Sequence, residues 1–280
     1  LKNLITGTFF LVATSTLARI IGSLYRIPLA QIISPEGMGL YGISYHIYAF
    51  ILMFFTAGIP TAVAKLTAEN IALKNYSGVR RIFREAIKLL GIIGLGTSLL
   101  LAVGSNLIAK MAGNENARLA LLAIAPALLL VSLTTVFRGY FQGLQRLEPI
   151  GICQIAEPLG KLFLGLWFAS QWVKLGDVYG ATGAVIGFTI SELLVLGLMV
   201  GFYFSQPMPV NRDPVQFSAP TSFEIIKNLT RIAAPVTLSL LTLPLISILD
   251  ILLILKLLQR INYPASEAVR LYGLFTQYVQ

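Results

Sequence analysis

Charged side chains lie inside long apolar runs of this sequence, where the hydrocarbon core of a bilayer would make them costly. They are Arg19, Arg26, Glu157, Lys161, Glu192 and Asp250. A charge near the bilayer centre costs about 2.5–3.5 kcal/mol on insertion scales, so such residues usually face a cavity or an oppositely charged partner. Arg19 and Arg26 are seven residues apart, which is two helical turns, and this spacing predicts one shared helix face.

The carboxylates among these residues fall into two groups. Glu157 and Lys161 are four residues apart with the acid on the amino-terminal side, which is the favourable order for an intrahelical ion pair. Such a pair either neutralises itself and holds helices together or takes part in transport. Glu192 and Asp250 have no basic neighbour at helical spacing. Each of these two either lines a wet cavity or packs against a basic residue of another helix.

His46 lies in an apolar run among Tyr41, Tyr45 and Tyr48. Its imidazole could change charge near neutral pH and so respond to a proton gradient. The alternative is a hydrogen-bonded histidine in the core, and both interpretations stay open.

Glycine and proline interrupt several of the apolar runs. Gly58 and Pro60 divide what would otherwise be one helix from Leu40 to Ala68, and we predict bending points there and at Pro126 and Pro235. Kinked helices that carry inward charges are typical of transporters, in which irregular backbone lines a cavity.

Composition indicates the elements that must position these residues. The chain has 280 residues, of which 56% are hydrophobic and 12% charged, whereas about a quarter are charged in soluble proteins. A transmembrane helix needs about 20 apolar residues. The sequence therefore predicts an all-α, polytopic transmembrane bundle with Leu4–Leu24, Leu40–Ala57, Ala86–Ala109, Leu119–Phe141, Ile150–Trp172, Ala181–Phe204 and Ile232–Leu255 as complete spans and an eighth beginning near Leu271.

The distribution of basic residues predicts the orientation. With alternate loops assigned to opposite sides, twelve of the 21 lysines and arginines fall on the side of the amino terminus and seven on the other, and the run from Lys74 to Lys88 is the densest. The positive-inside rule then predicts that the amino terminus lies in the cytoplasm. We expect the chain in the plasma membrane. The net charge of +9 is accounted for by these loops, so nucleic acid is not an expected partner.

A polar segment, 205–224, carries four prolines and cannot be a continuous helix. It predicts a cytoplasmic linker between a first lobe of six spans, 1–204, and the start of a second lobe, 225–280. The chain begins at Leu1 and stops inside an apolar stretch too short to cross a bilayer. We therefore expect a fragment of a longer protein.

Enzymatic and metal chemistry find no support in the sequence. One cysteine, Cys153, and one histidine provide neither a disulfide nor a zinc cluster. The phosphate-binding loop G-x-x-x-x-G-K-[ST] and the hydrolase motifs H-E-x-x-H and G-x-S-x-G are absent. We expect no catalytic residue, no metal site and no cofactor.

Three strings resemble a known family. They are TLARIIGSLYRIPLAQIISPEGMGLY at Thr16–Tyr41, TAGIPTAVAKLTAE at Thr56–Glu69 and FRGYFQGLQRLEPIGICQIAEPLGK at Phe137–Lys161. They resemble the stage V sporulation protein B group of the multidrug, oligosaccharidyl-lipid and polysaccharide flippase superfamily. The resemblance implies two lobes around a cavity that opens alternately to either face. It also implies a lipid-linked saccharide as substrate, such as a peptidoglycan precursor on undecaprenyl pyrophosphate, with membrane lipids around the protein.

The resemblance also implies roles for individual residues. Arg19 and Arg26 match the basic pair that the lipid II flippases of this superfamily direct into their cavity, and Arg138 would join them at the head group. Those flippases space their pair by six residues, and a second basic pair of theirs corresponds here to Leu52 and Met53. Glu157, Glu192 or Asp250 would bind a coupling proton or sodium ion, unless the membrane potential acts directly.

Three other functions remain open at this point. A cation-coupled drug exporter of the same superfamily would use Glu192 and Asp250, although two arginines in the first span disfavour a cationic substrate. A membrane glycosyltransferase would need acidic residues in a large outer loop, and the predicted outer loops are short. A scaffold for a cell-wall or spore-coat complex would transport nothing.

Overall fold

The computed structural model describes residues 2–205, 221–260 and 264–278, and helices joined by short turns make up this part of the chain. The α-helices are α1 (Lys2–Leu24), α2 (Arg26–Ile32), α3 (Pro35–Thr56), α4 (Ile59–Ala72), α5 (Tyr76–Met111), α6 (Ala117–Gly143), α7 (Glu148–Gly160), α8 (Leu166–Trp172), α9 (Asp177–Ser205), α10 (Ser222–Leu240), α11 (Thr242–Arg260) and α12 (Ala265–Tyr278). A π-helical segment, Lys161–Gly165, joins α7 to α8, and a 3-10 turn, Val173–Leu175, follows α8. The all-α prediction is confirmed.

Six helical segments of the described residues are long and apolar enough to cross a membrane. They are Phe9–Ile32, Pro35–Ala72, Tyr76–Met111, Ala117–Gly143, Glu148–Leu175 and Asp177–Ser205. Each overlaps one of the first six predicted spans. The apolar runs therefore located these helices correctly, and the polar residues between them mark the turns.

The predicted seventh span is divided between two helices in the structure. The run Ile232–Leu255 does not form one helix, because α10 ends at Leu240 and α11 begins at Thr242. Proline is tolerated in the first turn of a helix, where its missing N–H would have no partner in any case. Pro244 therefore marks a helix start, which a count of apolar residues does not register.

The predicted linker, 205–224, overlaps helices at both of its ends. α9 continues to Ser205, and α10 begins at Ser222. The Thr221 hydroxyl accepts a hydrogen bond from the backbone N–H of Glu224, whose carboxylate accepts one from the N–H of Thr221. This capping box fixes the start of α10. The rest of the linker, 206–220, lies outside the described residues.

The break predicted at Gly58 and Pro60 is present. α3 ends at Thr56 and α4 begins at Ile59, with Pro60 in its first turn. A side chain at position 58 would collide with the backbone carbonyl of Ala233, so glycine is required for α10 to approach this closely. The N–H of Gly58 donates to the Thr237 hydroxyl at 3.1 Å. α10 therefore packs directly against the break. By contrast, Pro126 and Pro235 lie inside continuous helices, α6 and α10.

The first predicted span, Leu4–Leu24, ends at a break in the helix. A turn at Tyr25 separates α1 from α2, and Ser34 caps the start of α3 by accepting a hydrogen bond from the N–H of Gly37 at 3.2 Å.

Two clusters of buried apolar side chains hold the helices together, one centred on α3, α6 and α9 and the other on α4, α5 and α6. The outer face of α5 exposes residues such as Val103, which is typical of a lipid-facing surface.

Candidate functional site

A cavity of about 520 Å³ lies among α1, α2, α3, α6, α7 and α9. Its charged lining residues are Arg19, Arg26, Arg138, Glu157 and Lys161. Four basic side chains thus face one carboxylate, which gives the walls a formal excess of three positive charges. Such a cavity favours an anion.

Arg19 and Arg26 form one side of this cavity. The turn at Tyr25 lies between them, yet both line the same space, as their spacing predicts. Arg19 is exposed and Arg26 half-buried. Within the described part of the chain neither guanidinium forms an ion pair or a side-chain hydrogen bond. Their charge is therefore not neutralised by any side chain placed by the structure.

A cluster of four charges lies at this cavity, and three of its members line it, Arg138, Glu157 and Lys161. The Glu157 carboxylate contacts Arg138 Nη2 through Oε2 at 2.7 Å and Lys161 Nζ through Oε1 at 2.6 Å. Lys161 Nζ also lies 3.0 Å from Glu192 Oε1. The predicted Glu157–Lys161 pair is therefore present. For Glu192, which is 2% exposed, the structure supplies the basic partner from another helical segment.

The π-helical segment positions Lys161 within this cluster. It begins at Lys161, three residues after Pro158, and packs against α9 at Gly187, where a side chain would collide with the backbone N–H of Gly165. The Ser191 hydroxyl of α9 donates to the Glu157 backbone carbonyl at 2.9 Å. Two small residues of α9, Gly187 and Ser191, therefore hold the backbone of the segment from Glu157 to Gly165 against α9. π-Helical turns often occur at functional sites.

Proline and glycine positions in the sequence indicate this arrangement, whereas the pattern of charges does not. Pro158 lacks the N–H that an α-helix needs at that position, and Gly183 and Gly187 are spaced for close approach of two helices. Phe188 was not among the predicted site residues. Its ring lies 4.2 Å from Lys161 Nζ and 5.2 Å from the ring of Tyr48. This cation–π contact further stabilises the ammonium group.

A second cavity of about 340 Å³ shares Arg138, Glu157 and Lys161 with the first. Glu192 also lines it, so two basic and two acidic residues face this space. Most of its other lining residues are apolar, and Leu52 and Met53 are among them. The charge cluster therefore separates a basic cavity from a formally neutral one that is largely apolar.

Two candidates lie away from both cavities. His46 lines neither, and its Nδ1 lies 2.6 Å from the carbonyl oxygen of Gly42, which favours the hydrogen-bonded alternative. Asp250 is half-buried in α11 and also lines neither. Its proposed role in ion coupling stays a prediction. No group of three or more potential metal ligands occurs among the described residues.

Comparison with known proteins places these features in a family context. The family described as "Polysaccharide biosynthesis protein" matches residues 4–280. "Stage V sporulation protein B" of Bacillus subtilis strain 168 is 27% identical over 217 residues, which cover 77% of this chain and 42% of that protein. "Lipid II flippase MurJ" of the same organism is 24% identical over 208 residues, which cover 66% of this chain and 38% of that protein. The chain thus spans less than half the length of either relative.

Solved structures show the same fold. An inward-facing multidrug resistance MATE family transporter of the MOP superfamily superimposes with a TM-score of 0.69 over 94% of this chain and 57% of that one, at 15% identity. A MOP superfamily transporter from Pyrococcus furiosus superimposes with a TM-score of 0.69 over 97% of this chain and 62% of that one, also at 15% identity.

Proposed function

The chain belongs to the polysaccharide biosynthesis protein family and has the fold of MOP-superfamily transporters, and from this premise we propose that it acts in a membrane transporter that flips a lipid-linked saccharide. The cargo is an oligosaccharide or a peptidoglycan precursor carried on undecaprenyl pyrophosphate. The complete protein moves it from the inner to the outer leaflet of the plasma membrane by alternating access, for the synthesis of cell wall, spore cortex or polysaccharide.

The observation that carries this proposal is the unneutralised pair, Arg19 and Arg26, on the wall of a cavity with a positive excess. A pyrophosphate presents several anionic oxygens, and the forked donors of a guanidinium pair with such oxygens in a bidentate way. The walls are suited to the anionic head group, while the polyprenyl tail stays in the lipid. Arg138 is the third candidate for the head group.

The direction of movement follows from the charge bias of the loops. The amino terminus lies in the cytoplasm, because the twelve basic residues on its side outnumber the seven on the other. The cavity loads from the cytoplasmic leaflet and releases outside. The break at Gly58 and Pro60 is the first bending point of this proposal, and Pro126 and Pro235, inside the continuous helices α6 and α10, are the other two.

The energy source is a proton, a sodium ion or the membrane potential. Glu157 and Glu192 are both within ion-pair distance of Lys161, which reduces their attraction for a further cation. Asp250 forms no ion pair among the described residues and is the better candidate for an exchangeable cation. A drug exporter that takes organic cations is disfavoured, because the larger of the two cavities is basic.

The test is transport by the full-length protein in proteoliposomes that contain a fluorescent undecaprenyl pyrophosphate-linked saccharide. Arg19→Ala reduces flipping at least about tenfold, because a charge-assisted hydrogen bond contributes about 1.5–3 kcal/mol. Arg118→Ala is the matched control, since Arg118 is exposed at the start of α6 and lines neither cavity. Equal flipping by Arg19→Ala and wild type at equal protein levels would reject the head-group role.

Two further arms separate the alternatives. A scaffold shows no flipping in wild-type proteoliposomes. A drug exporter instead moves an organic cation such as ethidium, and its transport does not depend on Arg19.

A further inference from the structure

The Glu157 carboxylate holds two cations in the way that a phosphate group would. Each of its oxygens takes one of them, Arg138 at 2.7 Å and Lys161 at 2.6 Å. These three side chains line both cavities. A phosphate that entered the cavity lined by Arg19 and Arg26 would therefore find Arg138 already paired with the carboxylate of Glu157.

The two cations depend on Glu157 to different degrees. Lys161 has a second carboxylate, Glu192, at 3.0 Å and remains compensated if Glu157 leaves. In the described part of the chain, Arg138 has Glu157 as its one carboxylate within ion-pair distance, and its Nε is buried without a hydrogen-bond partner. Loss of the Glu157 contact therefore frees Arg138 and leaves Lys161 paired.

Glu157 can give up this contact without a change of backbone. The Ser191 hydroxyl holds its carbonyl at 2.9 Å, so the main chain at this point is fixed to α9. The side chain is 25% exposed and lines a cavity on either side. Rotation about its own side-chain bonds is enough to move the carboxylate away from Arg138.

We propose that Glu157 is an internal substitute for the phosphate of the substrate, which an anionic pyrophosphate head group displaces from Arg138. This inference rests on the function proposed above and assigns Arg138 to the substrate only when the head group is bound. In the empty protein the Glu157 carboxylate neutralises Arg138, which avoids an uncompensated charge on a half-buried guanidinium. With cargo bound, phosphate oxygens take over that contact, and Arg19 and Arg26 hold the rest of the head group.

The test measures binding of inorganic pyrophosphate to the full-length protein by calorimetry. Glu157→Gln removes the competing charge and keeps the shape, so we expect binding about tenfold tighter than in wild type. Glu192→Gln is the matched control: it removes a carboxylate of the same cluster but leaves Arg138 held by Glu157, and binding stays within about twofold. Arg138→Ala introduced into Glu157→Gln abolishes the gain.

A second ligand and a milder variant complete the test. A short-chain polyprenyl pyrophosphate shows the same gain if the site recognises the phosphates, and no gain if tail contacts determine its binding. Glu157→Asp retracts the carboxylate by one methylene group and gives a smaller gain, which keeps the proposal testable if Glu157→Gln does not fold.

The outcomes separate this inference from the function on which it rests. Pyrophosphate binding that requires Arg19 but is unchanged or weakened by Glu157→Gln overturns the displacement and leaves the flippase proposal standing. A gain that persists after Arg138→Ala also overturns it. Absence of pyrophosphate binding in wild type and in Glu157→Gln alike overturns both.

Discussion

The two walls of the basic cavity use the same residue types in opposite ways. On α1 and α2, Arg19 and Arg26 face the cavity without an ion-pair partner among the described residues. On α6 and the π-helical segment, Arg138 and Lys161 lie within 3.0 Å of carboxylates. An intramembrane charge therefore has two uses: a paired charge joins helices, and an unpaired charge at a cavity remains available to a ligand.

The packing around the two walls agrees with this division. The paired wall is built from helices in close contact, with glycines of α9 against the backbone of the π-helical segment. α1 packs mainly against α7, and much of its surface is exposed. Substitutions on the paired wall should therefore change stability, and those on the unpaired wall should change ligand binding with little effect on stability.

The largest effect on stability is expected from Lys161→Met. This change leaves Glu157 with one cation and Glu192, which is 2% exposed, with none. Removing one partner of a buried ion pair costs about 3–5 kcal/mol. The thermal unfolding midpoint of the purified full-length protein in detergent should fall clearly below that of wild type.

A double variant controls for the loss of packing by the lysine stem. Lys161→Met combined with Glu192→Gln no longer contains the uncompensated carboxylate and should regain part of the lost stability. If the single variant unfolds at the wild-type temperature, Lys161 does not hold the cluster, and the contrast between the two walls fails.

A smaller effect is expected from Gly187→Ala. The added methyl group would collide with the backbone N–H of Gly165 and push α9 away from the π-helical segment, at a cost of about 1–3 kcal/mol. Gly197→Ala, on the same helix, is the matched control because nothing lies within 4 Å of its added methyl group. A thermal unfolding assay should rank Gly187→Ala below Gly197→Ala. Equal midpoints would show that the close approach at Gly187 is not needed.

Much of the fold could be predicted from the sequence because a bilayer imposes simple rules. The first six spans follow from run length alone, and the break at Gly58 follows from glycine and proline chemistry. The division of the seventh run between two helices could not be predicted in this way. Hydrophobicity continues through Leu241, whereas α10 ends at Leu240 and α11 begins at Thr242 with Pro244 in its first turn.

The candidate site could be predicted in part. The spacing of Glu157 and Lys161 is a local signal, and their ion pair follows from it. The contacts that Arg138 and Glu192 make with this pair join residues 19 and 31 positions apart along the chain, so helix packing rather than local spacing determines them. Sequence alone could not distinguish the paired basic residues from the unpaired ones, and the functional argument depends on that distinction.

The smallest effect on stability is expected from Arg26→Ala, which nevertheless should be among the most damaging to transport. Arg26 forms no ion pair with a described residue, so its removal breaks no compensated charge, and stability should change by less than about 0.5 kcal/mol. Flipping of the lipid-linked saccharide should fall about tenfold, since the head group loses one guanidinium. Arg138→Ala provides the contrast, because it leaves Glu157 with Lys161 alone and should lower the unfolding midpoint as well. If Arg26→Ala destabilises the protein as much as Arg138→Ala, Arg26 has a structural partner, and its charge is not reserved for a ligand.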